Sequence, residues 1–200
     1  AVFVLGTAPF ESVSKYTLSV LPLFVLMGNL ANRANLSRNL YDAAYAVVGH
    51  YKGGLAMSTV GACAGFGMIC GSSIATAATM SQMAGPEMKR HGYSDALISG
   101  SVASGGTLGI IIPPSVILII YAYLTEQSIQ QLFFAALIPG LIAVVLYMIA
   151  IRVYLLVYPD QGGHGEKMTT KDRISALTKV FPIFLIFAII MGGLYLGFFT

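Results

Sequence analysis

Hydrophobic residues in this chain come in long blocks, and charge gathers in the gaps between them. The longest block, Gly53–Pro86, has no charged residue between Lys52 and Glu87. Its about 34 residues compare with about 20 for one helical crossing of a ~30 Å hydrocarbon core. A single straight helix of that length overshoots the core by about 20 Å at 1.5 Å per residue. Two full crossings and a turn need more than about 40 residues. The length therefore fits two short helices that dip to mid-membrane and return, a re-entrant hairpin. Its expected tip is Cys70-Gly71-Ser72-Ser73. Non-helical backbone survives at that depth only where it is buried in protein or lines a polar cavity, which makes the tip a candidate binding site. One long tilted helix, packed through the GxxxG of Gly61 and Gly65, is the competing expectation.

A second uncharged block, Ala96–Thr125, is interrupted by GGTLGIIIPPS (Gly105–Ser115). Pro113 and Pro114 remove two backbone donors, and Ile112 is pushed towards extended geometry by the proline after it. The pattern predicts helix, break and helix, with the interruption at Gly109–Pro114. Tyr16–Asn32, Leu132–Tyr158 and Val180–Phe199 read as further crossings, with Pro22 a bend and Pro139-Gly140 a kink. Leu36–Gly49 differs: apolar residues recur at helical spacing opposite Arg38, Asn39 and Asp42, with Asn35 as the expected N-cap. It is too polar to span and is placed as an amphipathic helix in the interface. Residues 1–15 read as a short apolar piece followed by a polar connection, Glu87–Asp95 as a polar loop, and the stretch from Pro159 as a flexible polar linker.

Composition supports a polytopic membrane protein. The 200 residues are 56% hydrophobic and 10% charged, against about 25% charged in soluble domains, and the mean hydropathy is +0.80. The net charge of +3 gives no reason to expect a nucleic-acid partner. Cys63 and Cys70, the two cysteines, have no metal-ligand spacing. No metal other than a coupling ion is expected. The chain opens in mid-hydrophobic sequence without an initiator Met, so it is expected to be part of a larger protein.

The two interruptions place freed carbonyl and hydroxyl oxygens at one depth, and such oxygens suit a hard cation such as Na+. Helices restarting near Ile74 and Ser115 aim their N-termini, each worth about half a positive charge, into the same space. That arrangement favours an anionic substrate and is the design of secondary transporters. Neither interrupted block carries an internal Asp, Glu, Lys, Arg or His, so Na+ coupling is favoured over H+. Other signals are weak. Gly65-Phe66-Gly67 lacks the strand and third glycine of a nucleotide loop, and His50, His91 and His164 sit at membrane edges or in the linker. Ser72 and Ser73 have no neighbouring base, so no enzyme is expected. Thr76 and Thr79 back-bond to their own helix as readily as they face a substrate.

LPLFVLMGNL, YKGGLA, CGSSIATAA, GPEMKRHGY, GIIIPPS, SIQQLFFAALIPG and the closing GGLYLGFFT together resemble the large membrane subunit of tripartite ATP-independent periplasmic (TRAP) transporters. The resemblance runs over nearly the whole chain, with the motifs in the family's order. It implies an all-α ion-transporter fold of two inverted repeats, of which this chain is the N-terminal half. Residues 1–52 would give a scaffold crossing and an arm helix. The hairpin (53–92) and broken helix (93–125) would belong to a mobile transport domain that works as an elevator. Residues 126–158 and 180–200 would cross the membrane, joined by a cytoplasmic linker over 159–179.

The implied activity is import of an organic acid, a dicarboxylate or a sialic acid, by Na+ symport across the bacterial inner membrane. The implied partners are a periplasmic substrate-binding protein and a small membrane subunit. The resemblance places Na+ on Ser72 and Ser73 and on main-chain oxygens around Gly109, Ile112 and Pro114, with Cys70 a neighbour where relatives often have Ser. It places substrate near Gly71, Thr76 and Ser115. The chain stops where the family continues into a second half, so alone it is not expected to transport. A binding-protein-independent Na+/dicarboxylate symporter of the same fold, a channel and a purely structural scaffold are the alternatives.

Charge sets the expected topology. With the hairpin rising from the cytoplasm, Arg33, Arg38, Lys52, Lys89, Arg90, Arg152, Lys167, Lys171, Arg173 and Lys179 fall inside and Lys15 alone outside, as the positive-inside rule requires. A Cys placed at Lys89 should therefore react with cytoplasm-side reagents and one at Gln127 with outside reagents. The reverse labelling would overturn the topology.

Overall fold

A computed structural model describes residues 16–165 and 167–196; the expected segment 1–15 and the end of the closing motif lie outside them. Every regular element among the described residues is helical. In chain order they are α1 (Tyr16–Arg33), α2 (Leu36–Val48), α3 (Gly54–Cys70), α4 (Ser73–Arg90), α5 (Asp95–Ile111), α6 (Val116–Thr125), α7 (Ile129–Val157), a 3-10 turn (Pro159–Gln161) and α8 (Thr170–Tyr195).

The hairpin is present as α3 and α4, with Gly71 and Ser72 between them, so the single long helix is excluded. Helix α3 is the centre of the molecule. Leu55, Ala56, Val60, Ala62 and Cys63 are wholly inaccessible, and the helix is enclosed by α1, α2, α4, α5 and α7. That enclosure is the condition under which a broken helix is tolerated in lipid. Each hairpin helix is longer than the half-membrane dip expected: 17 and 18 residues give about 26 Å. An upright hairpin would thus reach most of the way across a ~30 Å core.

The second break is also present. α5 and α6 are bent by 43° about Ile112–Ser115. Helices α7 and α8 are each long and apolar enough to cross a membrane, and the bent pair together makes a third such span. Among the described residues α1 does not reach that standard, because Asn29, Asn32 and Arg33 crowd its last turn.

Several boundaries move. Glu87–Arg90 belong to α4, which carries Pro86 without ending, so the loop between hairpin and broken helix shrinks to His91–Ser94. Helix α8 starts at Thr170, ten residues before the expected crossing, with Thr169 bonded to Asp172 in its first turn. What remains of the linker is docked at the base of the hairpin. Gly53 N–H donates to Gly163 O (3.3 Å) and Ser94 N–H to Gln161 O (3.0 Å). Lys52 forms an isolated bridge with His164. Across the same base, Leu55 N–H donates to the Tyr93 hydroxyl at 3.2 Å; burial pushes that phenol up to about 12.

Helix starts share one device. Ser72, Ser94, Ser115 and Ser128 each sit at an N-cap and accept from the N–H three residues on. Asn35 does precede α2, but with φ 56° and no side-chain cap bond.

Small residues let α3 meet α5 at backbone distance. A Cβ on Gly67 would lie 2.7 Å from Gly109 Cα, main chain against main chain, where no rotamer can relieve it. Gly67→Ala in the complete transporter should cost about 1–3 kcal/mol as overpacking, read as a lowered melting temperature in detergent. Gly100→Ala, with no atom within 4 Å of its Cβ, should stay within about 0.5 kcal/mol of the parent. Equal melting temperatures for the two variants would contradict the close α3–α5 packing.

Candidate functional site

The two breaks touch. Gly71 ends α3 in the left-handed conformation (φ 62°), its N–H donating to Gly67 O. A Cβ there would be strained by φ and would lie 3.0 Å from Pro114 O. Val116 N–H, the first of α6, donates to Gly71 O at 3.4 Å. On the other side of the tip, a Cβ on Gly109 would lie 3.0 Å from Ser72 O and 2.9 Å from Thr76 Oγ1. Glycine is required at 71 by conformation and at 109 by this approach.

The carbonyls at the end of α5 show what the prolines do. Pro113 and Pro114 stand four residues after Gly109 and Ile110 and have no N–H to offer those carbonyls. Ile110 O is taken over by Ser115 Oγ at 2.8 Å. Gly109 is therefore not part of an unwound segment, as expected from sequence. It is the third-last residue of α5, and the break begins at Ile112, extended at φ −84° and ψ 123°. The carbonyl of Gly109 still loses its helical donor, because of Pro113.

Beside the tip lies a cavity of about 360 Å3, within the size range of small-molecule sites. Cys70, Gly71, Ser72 and Ser73 line it, with Ile74, Ala75 and Thr79 further along α4 and Val116 and Ile117 from the start of α6. Both restarting helices thus present their first turns to one space, and among the described residues no Asp, Glu, Lys, Arg or His lines it. Their partial positive charge favours an anion there.

The expected site residues divide accordingly. Ser72, Ser73, Cys70 and Gly71 line the cavity, and Ser72 also caps α4 by accepting from Ala75 N–H at 3.4 Å. Ile112 and Pro114 are buried behind it, with the Ile112 side chain packed where Gly140 leaves room, so each could give only a main-chain oxygen. Thr76 and Ser115, expected against substrate, are both fully buried and absent from the lining. Thr76 Oγ1 donates to Ser72 O at 2.7 Å, and Ser115 Oγ bridges Ile110 O and Leu118 N–H. Both hydroxyls hold the breaks in shape.

Sequence reasoning missed the opposite wall. Gly28, Asn29 and Asn32 of α1 line the cavity, with Gly28 against Cys70. The signal was there to read: two amides three residues apart share a helix face, and such polar pairs are costly in an apolar span unless they face a cavity or partner.

Comparison with known proteins finds a family and several relatives. The family described as "Tripartite ATP-independent periplasmic transporter, DctM component" matches residues 2–200. The chain is 38% identical over 191 residues to a C4-dicarboxylate TRAP transporter large permease protein of Pseudomonas aeruginosa, covering 96% of this chain and 44% of that protein. It is 32% identical over 188 residues to an ectoine TRAP transporter large permease protein of Halomonas elongata (92% and 43%). To a sialic acid TRAP transporter permease protein of Haemophilus influenzae it is 29% identical over 189 residues (94% and 30%). The chain spans less than half the length of these relatives, which are permeases rather than enzymes.

Proposed function

Because this chain belongs to the family of the DctM component of tripartite ATP-independent periplasmic transporters, we propose that it forms the first half of a permease importing an organic acid anion by Na+ symport. The observation that carries the reading is the contact between the two breaks at Gly71 and Pro114–Val116. Na+ would be held between them by the hydroxyls of Ser72 and Ser73 and main-chain oxygens of Gly109, Ile112 and Pro114, with Cys70 alongside. The anion would lie in the adjoining cavity, against the first turns of α4 and α6 at Gly71 and with Asn29 and Asn32 opposite. Its charge would be met by helix dipoles and the bound cation rather than by a basic side chain. Among the described residues the site has no Asp, Glu or His to carry a proton, which favours Na+.

The hairpin and bent pair would form the moving body of an elevator, and α1 with the interfacial arm α2 its scaffold. A periplasmic binding protein would deliver the substrate and a small membrane subunit would brace the scaffold, in the bacterial inner membrane with the hairpin rising from the cytoplasm. The second half would supply the other hairpin.

Ser73→Ala in the complete transporter tests the cation site. Losing one oxygen contact to a cation is comparable to losing a charged hydrogen bond, about 1.5–3 kcal/mol, or roughly 10- to 150-fold in apparent affinity. Uptake should therefore need that much more Na+ for half-maximal rate, while the binding protein's affinity for substrate is unchanged. Ser81→Ala is the control, since Ser81 is exposed and donates to Ala78 O of its own helix. An unshifted Na+ dependence in Ser73→Ala at normal expression would contradict the reading.

A further inference from the structure

The second helix of the hairpin has a polar face that its packing does not use. Helix α3 is apolar and buried along most of its length, whereas α4 carries Thr79 and Gln82 well before its charged end. Thr79 lines the cavity at the tip. Gln82 and Met83, three and four residues on, line a second cavity of about 660 Å3, which reaches Glu87 and Arg90. That spacing puts them on one helix face, and the step from Thr79 to Gln82 is about 4.5 Å of helix.

The facing wall keeps the same order. Asn29 and Asn32 of α1 line the first cavity, and Arg38 and Asp42 of α2 line the second. Only the short turn at Ala34-Asn35 separates the two helices. Polar side chains therefore face one another from the tip to the charged end. The side chains of Asn29, Asn32 and Gln82 have no hydrogen-bond partner among the described residues, and unpaired amides are costly away from water. In the second cavity Arg38 and Arg90 are balanced by Asp42 and Glu87, with Arg90 3.5 Å from Glu87. A lining of that kind attracts water and retains an ion of neither sign, which suits a passage rather than a binding site.

We propose that the two cavities are stretches of one water-filled passage along the Thr79–Gln82 face of α4, through which the tip site empties to the cytoplasm. That the passage carries a transported anion rests on the importer reading above; its course does not.

Native Cys70, on the wall of the tip cavity, reports on the passage, since Cys63 is wholly inaccessible. The complete transporter is treated with sulfonatoethyl methanethiosulfonate, a membrane-impermeant anion that caps thiols, in inverted and in right-side-out vesicles. Labelling that disappears in Cys70→Ser is assigned to Cys70. It should occur from the cytoplasmic side. Gln82→Trp, which fills the passage one turn beyond Thr79, should remove most of it. Ser81→Trp, next in sequence but outside both linings, should not. In a Cys70→Ser background, Gln82→Cys should react faster than Thr79→Cys, because it lies nearer the mouth. That order needs no bulky side chain, so it decides the matter even where Gln82→Trp folds poorly. Cys70 labelled from the outside alone, equal labelling in the two Trp variants, or Thr79→Cys reacting ahead of Gln82→Cys would overturn the passage. None of these readings requires uptake. A passage found in a protein whose Na+ dependence is unshifted by Ser73→Ala would therefore sink the ion-site reading and leave the passage standing.

Discussion

Every backbone carbonyl and N–H released inside a bilayer has to be answered by protein, because hydrocarbon offers no hydrogen bond. That constraint organises this molecule. Two helix breaks release polar groups, and the chain meets the demand locally, with a serine at each restart, Ser115 Oγ donating to the freed carbonyl of Ile110, and Thr76 Oγ1 joining the Thr76 N–H on Ser72 O. It meets the rest by burial, wrapping α3 in five other helices. The glycines then follow as a consequence: backbone can answer backbone only where side chains stand aside, as at Gly67, Gly71 and Gly109.

The same constraint separates structural from functional oxygens. The hydroxyls that donate to backbone carbonyls at the breaks, those of Thr76 and Ser115, are buried and committed. The polar groups that remain on a cavity wall are those of Ser72, Ser73, Thr79, Asn29 and Asn32. On the proposed reading, charge would be bound here by neutral groups, namely dipoles, carbonyls and amides. Such a site releases an ion more readily than one that must separate paired charges, and that suits a carrier that has to let go on the far side.

Much of this was legible in the sequence. The uncharged length of Gly53–Pro86 favoured a hairpin over one long helix, Gly71 and its neighbours marked the tip, and the Pro113-Pro114 pair the second break. What could not be read was three-dimensional. Whether Thr76 and Ser115 face a ligand or a carbonyl depends on where the partner break lies, which local pattern does not encode. Gly109 was read as unwound because glycine loosens a helix, whereas close packing against Gly67 and Ser72 keeps it helical. The Asn29–Asn32 wall was written in the first span but overlooked, since that stretch was weighed for its apolar content. Docking of residues 161–164 at the hairpin base was hidden by polar composition that reads equally well as a free linker.

The central claim is that one cation is shared by the two breaks. Its most direct measurement is a pair of high-resolution cryo-EM maps of the complete transporter, one in sodium chloride and one in choline chloride. A shared site predicts density in the sodium map alone, within coordinating distance of Ser72 or Ser73 and of a carbonyl from Gly109–Pro114. Sodium-dependent density held by one break alone, or none between Gly71 and Pro114, would contradict it.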